Sequence, residues 1–384
     1  MSDEDLQHVL IFAPNYLPAI GGAEIAIKEV TDRIDTDEIQ FDMVTPRLKS
    51  SRKQKEQVGN VMIHRVGFGY TIDKLLFLVA GVYRAARIHD QNPIDACWAI
   101  MVSYSGIAAT IFSYLHPSVR YILTLQAGDP LDEIEEKMRW CRWLFEQIFY
   151  QADHIHAIST YLKDWARDIG YDGPVAVIPN GVDIELYGKD HSDDAIEDVY
   201  AELGKEPSDT TRYLITTSRL VRKNGINDVI RALPELPEYV EFVIVGSGPL
   251  ESDLKDLARR LEVEARVHFI GLVPHQEIPR YLDAADIFIR PSRTEGMGNS
   301  FIEAMAAGVP VVGTLVGGIA DFLTHHKTGM VVEPKDPSSI VRAVNTLLRD
   351  LTLREEIAIN AKNMVRENYN WDHISKEMQS ILTK

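Results

Sequence analysis

The sequence predicts an α/β protein built from two doubly wound, Rossmann-like domains. Segments typical of strands and helices alternate from one end of the chain to the other, which is the pattern of βαβ units in parallel sheets. The 384 residues are too many for a single core of ordinary size, so two domains are expected. The alternation weakens in Lys189–Asp209, which is rich in charged and turn residues, and resumes after it.

Short apolar runs bounded by turn residues predict the strands of the first half. They are His8–Ala13, Phe41–Pro46, Val61–Val66, Asp95–Ile100, Tyr121–Gln126, His154–Ser159 and Val175–Pro179. The helices predicted between them include Glu24–Arg33, Leu75–His89, Glu133–Tyr150 and Tyr161–Asp168.

The same pattern restarts in the second half, where the predicted strands are again separated by helices. These strands are Tyr213–Ser218, Glu241–Gly246, Val267–Ile270, Ile287–Pro291, Val311–Gly313 and Met330–Glu333. We place the domain boundary within Lys189–Asp209, which gives domains 1–190 and 191–370. The amphipathic stretch Trp371–Leu382 follows as a last helix.

Composition and charge exclude several classes of protein. The formal net charge of −17 argues against a protein that coats nucleic acid, and any anionic ligand needs a local cluster of cations. Cys97 and Cys141 show no metal-binding spacing and are expected to be free thiols. The acidic amino terminus is no secretory signal, and Leu75–Tyr83 is too short to span a bilayer. We expect a cytoplasmic protein, with peripheral attachment to the membrane as an alternative.

Two glutamates lie at the end of a predicted strand in the second half. Glu295 falls in a glycine-containing loop after the buried run Ala285–Ser292, and Glu303 falls in the first turn of the next helix. Ligands of open α/β sheets bind beyond the carboxyl ends of strands. Two structural alternatives remain open: Glu303 with Ser300 forms a capping box, and Glu295 is a solvated loop acid.

The cluster of cations that an anionic ligand needs follows the first strand of the second half. Arg219, Arg222 and Lys223 lie within five residues of one another, and a solvated basic turn before a helix capped by Asn224 is the alternative. In the first half, Gly21 and Gly22 begin a helix and would direct backbone N–H groups at an anion. This pair lacks the spacing of a dinucleotide-binding fingerprint, so no redox cofactor is expected.

The segment from Pro291 to Thr314, with Gly317-Gly318 and Asp321 after it, closely resembles the donor-sugar signature of glycosyltransferase family 4. This family consists of retaining enzymes with the GT-B fold, two Rossmann-like domains facing a central cleft. The resemblance implies that Glu295 meets the transferred sugar and that Glu303 meets the ribose of the nucleotide.

The resemblance extends over nearly the whole chain and implies further roles. Arg219 and Lys223 would hold the pyrophosphate of the donor, and the last helix, residues 371–384, would complete the first, acceptor-side domain. The remaining predicted donor-binding residues are glycines and their neighbours in three loops: Gly21, Gly22, Gly271, Leu272, Val273, Gly296, Met297 and Gly298.

One position departs from the family pattern. Many members carry a histidine after the strand Tyr121–Gln126, where this chain has Gln126. A glutamine binds a sugar hydroxyl but does not act as a general base. Asp129, three residues later, is a candidate for orienting the acceptor, and a turn aspartate before Pro130 is the alternative.

No metal or other cofactor is predicted. Metal-dependent sugar transferases of the other large fold place an Asp-x-Asp after a strand, and the acidic triplets of this chain, Asp3–Asp5 and Asp35–Asp37, lie elsewhere. The basic and aromatic stretches Asp73–Arg87, Lys137–Tyr150 and Arg47–Lys55 face an acceptor or a membrane in one interpretation. In the other they are core-facing helices with a solvated side.

These observations predict a retaining transferase that moves a hexose from a UDP- or GDP-sugar to a glycan, lipid-linked or small-molecule acceptor. Two alternatives stay open. One is a non-hydrolysing sugar-nucleotide 2-epimerase on the same fold, and the other is a non-catalytic nucleotide-sugar binder.

Overall fold

The computed structural model describes residues 6–19, 21–189, 191–204 and 210–383, without the side chains of Lys137 and Trp140. The chain divides into two compact units. The first comprises residues up to Asn180 together with the last helix from Trp371, and the second is Gly181–Asn370. Each unit contains one largely parallel sheet, so the predicted class, two α/β domains, is confirmed.

The first unit has eight strands and seven helices among the described residues. The strands are β1 Gln7–Phe12, β2 Ile39–Pro46, β3 Lys55–Val58, β4 Val61–Val66, β5 Ala96–Ile100, β6 Arg120–Leu125, β7 His154–Ala157 and β8 Val175–Val177. The helices are α1 Gly22–Thr31, α2 Asp73–Gln91, α3 Tyr104–Leu115, α4 Leu131–Met138, α5 Arg142–Tyr150, α6 Thr160–Asp168 and, at the end of the chain, α15 Trp371–Thr383. The sheet order is β3-β4-β2-β1-β5-β6-β7-β8, and only β3 is antiparallel to its neighbour.

Burial of apolar side chains fixes the last helix on this sheet. Trp371, Met378 and Leu382 of α15 are almost completely buried and share one core with Val9 of β1 and Trp98 of β5. Each such side chain contributes about 2 kcal/mol through its removal from water. The last helix therefore completes the first unit, as the resemblance implies.

The second unit has a six-stranded sheet. Its strands are β9 Arg212–Thr217, β10 Val240–Val245, β11 Val267–Gly271, β12 Ile287–Arg290, β13 Val311–Gly313 and β14 Met330–Val331. Its helices are α7 Ile184–Tyr187, α8 Asp193–Glu202, α9 Ile226–Ala232, α10 Glu251–Arg260, α11 Ile278–Asp283, α12 Asn299–Ala307, α13 Pro337–Arg349 and α14 Leu351–Asn368. The order is β11-β10-β9-β12-β13-β14, with every pair parallel.

The division between the units lies ten residues before the predicted boundary at residue 190. The segment predicted as a junction contains α8, whose Tyr200 stacks on Tyr213 of β9 with ring centroids 5.4 Å apart. Residues 181–189 also belong to the second unit, where α7 packs against α12. Residues 205–209 of the predicted junction lie outside the described part of the chain.

Two elements of the first unit are absent from the prediction. Strand β3 has the sequence KEQV, which is too polar to signal a strand, and it pairs at the edge of the sheet. Helix α3 has buried residues around most of its circumference and therefore lacks the polar stripe that marks an amphipathic helix. No helix in the described ranges is both long and apolar enough to cross a membrane.

Candidate functional site

The order of strands in the second unit reverses between β9 and β12. The chain moves outward from β9 through β10 to β11 and then returns to place β12 on the other side of β9. Loops after such neighbouring strands part and leave a crevice beyond the carboxyl ends of the strands. The loop after β9 carries Arg219 and Lys223, and the loop after β12 carries Glu295. The fold thus brings the predicted basic pair and the first glutamate to one edge of one sheet.

The two loops contact each other through their backbones. The N–H of Arg293 donates to the carbonyl oxygen of Lys223 over 2.6 Å. Gly225 has a φ of +69°, and a Cβ there would lie 2.0 Å from the carbonyl oxygen of Pro291. Only glycine fits this contact, which holds the basic loop against the glutamate loop.

The basic loop is shaped by Asn224, which is buried. Its side-chain amide donates to the carbonyl oxygen of Arg219 over 2.7 Å, so it does not cap the following helix, which begins at Ile226 after Gly225. The Arg219 side chain is exposed and that of Lys223 is half-buried. The capped-helix alternative for this turn is therefore wrong, and the bond made by Asn224 directs the turn instead.

Glu295 is held by a buried arginine of the preceding strand. Nη2 of Arg290 lies 2.8 Å from Oε2 of Glu295, and Nη1 of the same guanidinium donates to Oγ of Ser300 over 2.7 Å. Both charged side chains are largely buried, with 7% and 14% of their surface exposed. The alternative of a solvated loop acid at position 295 is therefore wrong.

A third loop packs on the backbone of Glu295. The carbonyl oxygen of Glu295 accepts a hydrogen bond of 3.1 Å from the N–H of Gly318. Gly317 has a φ of +56°, and a Cβ there would lie only 1.8 Å from the same oxygen. The paired glycines after β13 therefore fix the position of Glu295, a role that their place in the sequence alone does not reveal.

Glu303 is not part of a capping box. Helix α12 begins after Gly298, which has a φ of +101° and makes no side-chain cap, so Ser300 is already helical. Glu303 therefore lies in the second turn of α12, beyond reach of the unpaired N–H groups at the helix start. The capping alternative is wrong because the left-handed Gly298 starts the helix two residues earlier than the Ser-x-x-Glu pattern predicts.

Glu303 has polar partners from three other segments. Tyr187 of α7, His275 and Arg290 all lie close enough to the Glu303 carboxylate to influence its ionisation. The Tyr187 hydroxyl is also 3.3 Å from Nδ1 of His275. Burial raises the pKa of Glu303, and the interactions with His275, Arg290 and Tyr187 act in the opposite direction.

Three residues that lie beside the two glutamates were not predicted from the sequence: Tyr187, His275 and Arg290. Only Arg290 has a signal in the sequence, a charge at the last position of an otherwise apolar strand. Tyr187 is 116 positions before Glu303, and it is completely buried. Its role depends on packing that no local pattern indicates.

The other predicted donor-binding residues of the second unit lie in two loops. Gly271 has a φ of +84° and accepts a hydrogen bond of 2.7 Å from the N–H of Gly246, while Leu272 after it is 81% exposed and Val273 half-buried. In Gly296–Gly298 the Met297 side chain is buried. A ligand at these loops would therefore meet mainly backbone and the Leu272 side chain.

In the first unit the predicted glycine pair begins α1. Gly21 is the residue before the helix, and a Cβ on it would lie 2.6 Å from Oε2 of Glu24. The carboxylate of Glu24 thus folds over the helix start, and burial raises its pKa. A phosphate at Gly21 and Gly22 would face this carboxylate, which weakens the argument for an anion site there.

Gln126 and Asp129 follow β6 in the first unit. The Gln126 side chain is buried beside a small cavity that His156 also lines, and Asp129 is exposed. His156 donates from Nε2 to the carbonyl oxygen of Ile178 over 2.7 Å, and burial lowers its pKa to about 4. This buried, neutral histidine has a structural role and does not replace the histidine that the family pattern leads one to expect at Gln126.

Two further features are the arrangement of potential metal ligands and a cavity of the second unit that the predicted site residues do not line. In the part of the chain that the structure describes, no three His, Cys, Asp or Glu side chains are grouped to hold a metal ion. A cavity of about 430 Å³ in the second unit lies at the amino ends of β12 and β13 and is lined by Asp283 and Asp286. These carboxylates are paired with His191 and Arg354, and none of the predicted site residues lines the cavity.

Two family models match the chain and together span most of it. The model of glycosyltransferase family 4 matches residues 20–186, and that of glycosyl transferases group 1 matches residues 202–364. The two ranges fall largely within the first and the second unit, respectively.

Relatives of known sequence are also glycosyltransferases. An uncharacterized glycosyltransferase of Methanocaldococcus jannaschii, MJ1607, is 34% identical over 60% of this chain and 60% of its own length. A GDP-mannose-dependent alpha-(1-6)-phosphatidylinositol monomannoside mannosyltransferase of Mycobacterium tuberculosis is 31% identical over 60% of this chain and 62% of its own. The chain thus matches about three fifths of the length of these two relatives.

Solved structures show the same fold. Sucrose-phosphate synthase of Thermosynechococcus elongatus superimposes with a TM-score of 0.83 at 21% identity, covering 98% of both chains. HepE of Anabaena, solved with UDP and glucose, superimposes with a TM-score of 0.79 at 21% identity, covering 98% of this chain and 99% of its own. These neighbours have the GT-B fold. The two family models, together with the glycosyltransferase relatives, show that the chain belongs to glycosyltransferase family 4.

Proposed function

We propose that the protein is a retaining glycosyltransferase that moves a hexose from a UDP- or GDP-sugar to an acceptor. One observation carries this proposal: two cations and a held glutamate lie on loops that follow adjacent strands at the β9–β12 switch point. The charges suit a donor that combines an anionic diphosphate with a neutral sugar rich in hydroxyl groups.

Each side chain then has a role that follows from its chemistry. Arg219 and Lys223 neutralise the charge that develops on the diphosphate as the glycosidic bond breaks. Glu295, oriented by Arg290, accepts hydrogen bonds from the sugar, and Glu303, oriented by Tyr187, accepts them from the ribose. These residues would act without a metal ion.

The reaction proposed is a front-face displacement. The bond between the sugar and the diphosphate breaks, and the acceptor oxygen attacks the anomeric carbon from the same face. The departing phosphate oxygen takes the proton of the acceptor, so no nucleophile from the enzyme is needed. This mechanism suits a site in which Glu295 is already paired with the cation of Arg290.

The names of relatives and neighbours support a UDP- or GDP-sugar donor and suggest a class of acceptor. HepE is solved with UDP-glucose, and the mycobacterial relatives are named for GDP-mannose. The same mycobacterial name specifies a phosphatidylinositol acceptor, and another neighbour, WaaG, is described as involved in lipopolysaccharide biosynthesis. A lipid-linked acceptor is the version of the proposal that these names favour.

Incubation with a panel of UDP- and GDP-sugars tests the proposal. We expect one donor to be hydrolysed slowly to free nucleoside diphosphate, and transfer to accelerate when polyprenyl- or phosphatidylinositol-linked sugars are added. Retention of anomeric configuration is read from the proton spectrum of the product. Formation of a 2-epimer of the donor would instead identify an epimerase, and tight binding of a donor without turnover of any kind would identify a binding protein.

A further inference from the structure

The outer face of α2 is apolar where a surface helix is normally polar. Its inner face packs into the core through Phe77, Ala85 and Ile88, as expected for an amphipathic helix. The opposite face presents Leu75 and Val79, of which Val79 is 73% exposed. A helix that is apolar on both faces is expected where a second surface covers it.

The outer face continues with the same spacing, and its first exposed acid is Asp90, near the carboxyl end of α2. Tyr83 follows Val79 at a distance of four residues, so Leu75, Val79 and Tyr83 form one stripe. The exposed charges along α2 before Asp90 are Lys74 and Arg87, both positive. The single acid of this stretch, Asp73, is fully buried.

A rigid loop before α2 extends the apolar stripe. Phe68, Tyr70 and Ile72 are all at least 60% exposed. The carboxylate of Asp73 accepts backbone hydrogen bonds from Phe68, Gly69 and Tyr70 over 3.0, 2.6 and 3.1 Å. These bonds lower the pKa of Asp73 and fix the backbone of the loop. The two aromatic rings are therefore presented to solvent by an ordered segment.

A basic segment lies directly beside this loop. Gly69 has a φ of +98°, and a Cβ on it would lie 2.2 Å from the backbone nitrogen of Ser50. Ser50 belongs to the run Arg47–Lys55, which contains five Lys and Arg residues and no acid. The side chains of Lys49, Lys53 and Lys55 are exposed. Cations and exposed aromatic rings are thus neighbours in space as well as in sequence.

We propose that these three parts form a surface that binds an anionic lipid bilayer. We call it the basic apolar face and define it as Arg47–Lys55, Phe68–Ile72 and the α2 stripe Leu75, Val79 and Tyr83. The apolar and aromatic side chains enter the boundary between headgroups and acyl chains, and the lysines meet the anionic headgroups. This inference goes beyond the transfer reaction and does not depend on the identity of the donor.

Charge decides in favour of a bilayer over a second copy of the chain. Residues 47–74 contain seven Lys and Arg against two Asp and Glu, whereas the whole chain has a net charge of −17. A symmetric dimer through this face would bring two like-charged basic segments together, at an electrostatic cost. An anionic bilayer complements both the local charge and the exposed apolar stripe.

Sedimentation with vesicles tests the proposal on the full chain. We expect binding to vesicles of phosphatidylcholine with about 30% phosphatidylglycerol, little binding to pure phosphatidylcholine, and a loss of binding as salt is raised, as for other polybasic surfaces. Replacing Lys49, Lys53 and Lys55 by Gln should weaken binding at least about tenfold, because each cation near an anionic surface contributes appreciably.

Matched variants separate the basic apolar face from general effects of charge and hydrophobicity. Leu75→Gln with Val79→Gln should also weaken binding, whereas Leu351→Gln with Ile359→Gln, two exposed apolar residues of α14, should not. For the charge, Gln replacements of the exposed Lys327, Arg366 and Lys376 change the net charge equally and should leave binding unchanged. Circular dichroism of each variant verifies that it is folded.

Several outcomes would overturn the proposal. The proposal of bilayer binding is wrong if the wild type does not bind the anionic vesicles. It is also wrong if the wild type and both face variants bind them equally. A concentration-dependent dimer in analytical ultracentrifugation that Leu75→Gln with Val79→Gln abolishes would identify the face as an interface between two copies of the chain. Nucleotide-sugar turnover measured without vesicles is unaffected by these variants, so their effect on vesicle binding is read independently.

Discussion

Arg290 and Glu295 form a nearly buried ion pair in which Nη2 and Oε2 are 2.8 Å apart. The pair joins the end of β12 to the loop that follows it and fixes the carboxylate proposed to meet the sugar. The guanidinium also bonds Ser300 of α12, so one side chain organises both the strand end and the start of the helix.

This pair predicts a large effect of Arg290 on stability. Arg290→Gln should lower the free energy of unfolding by about 3 kcal/mol, because it leaves the Glu295 carboxylate buried without its cation. The exposed pair of Arg342 and Asp336 provides the control, and Arg342→Gln should change stability by less than about 1 kcal/mol. Urea denaturation measures both, and equal small changes would show that the buried pair does not hold the loop.

The basic pair predicts a loss of turnover without a loss of stability. Arg219→Ala and Lys223→Ala should each lower the rate of transfer by about a hundredfold, since each removes a cation from the developing diphosphate charge. Arg222→Ala is the matched control, because Arg222 is exposed in the same turn but is not predicted to touch the donor. A variant of Arg219 or Lys223 that transfers as fast as the Arg222 variant would place the diphosphate elsewhere.

Replacing Glu303 or Glu295 by glutamine should change different properties of the protein, diphosphate affinity in one case and the rate of transfer in the other. Glu303→Gln should weaken the binding of nucleoside diphosphate, because this carboxylate is proposed to accept hydrogen bonds from the ribose. Glu295→Gln should leave diphosphate affinity unchanged and reduce transfer, because it meets only the sugar. Isothermal titration calorimetry with UDP and GDP distinguishes the two. Unchanged diphosphate affinity in the Glu303 variant would contradict the ribose assignment.

Tyr187 should set the pH dependence of diphosphate binding. Burial raises the pKa of Glu303, so the contribution of this carboxyl to the free energy of unfolding falls as the pH rises above the ordinary carboxyl range. The interaction with Tyr187 lowers that pKa, and Tyr187→Phe should therefore raise it. Because the ionised carboxylate is the form that accepts from the ribose, the acid limb of diphosphate binding should move to higher pH in the variant.

Calorimetric titrations that start in the ordinary carboxyl range and extend to alkaline pH test this expectation. The wild type and Tyr187→Phe should converge at the pH where Glu303 is ionised in both proteins. Glu303→Gln should lack this acid limb altogether. Identical pH profiles for the wild type and Tyr187→Phe would show that the tyrosine only fills space.

Local sequence patterns predicted the strands of the second unit within a few residues, because each is a short, nearly continuous apolar run. They also predicted that Glu295 and the basic turn lie at the carboxyl ends of strands, because each directly follows a predicted strand in the sequence. Tyr187 was missed because its place beside Glu303 depends on packing between distant segments, and Arg290 was missed because a charge at the end of an apolar strand does not reveal its partner. The capping box failed for a local reason: the left-handed Gly298, not Ser300, starts α12.

The last prediction is that transfer survives a chelator. The diphosphate is proposed to be neutralised by Arg219 and Lys223, and the described residues contain no cluster of His, Cys, Asp or Glu suited to a metal ion. Single-turnover rates, which exclude product release, should therefore be nearly equal in excess EDTA and in added magnesium or manganese. Loss of chemistry in EDTA, with recovery on adding manganese, would show that a metal carries the charge assigned to the two cations. The Arg219→Ala variant sharpens the test: if the cations carry that charge, manganese should not restore its rate to that of the wild type.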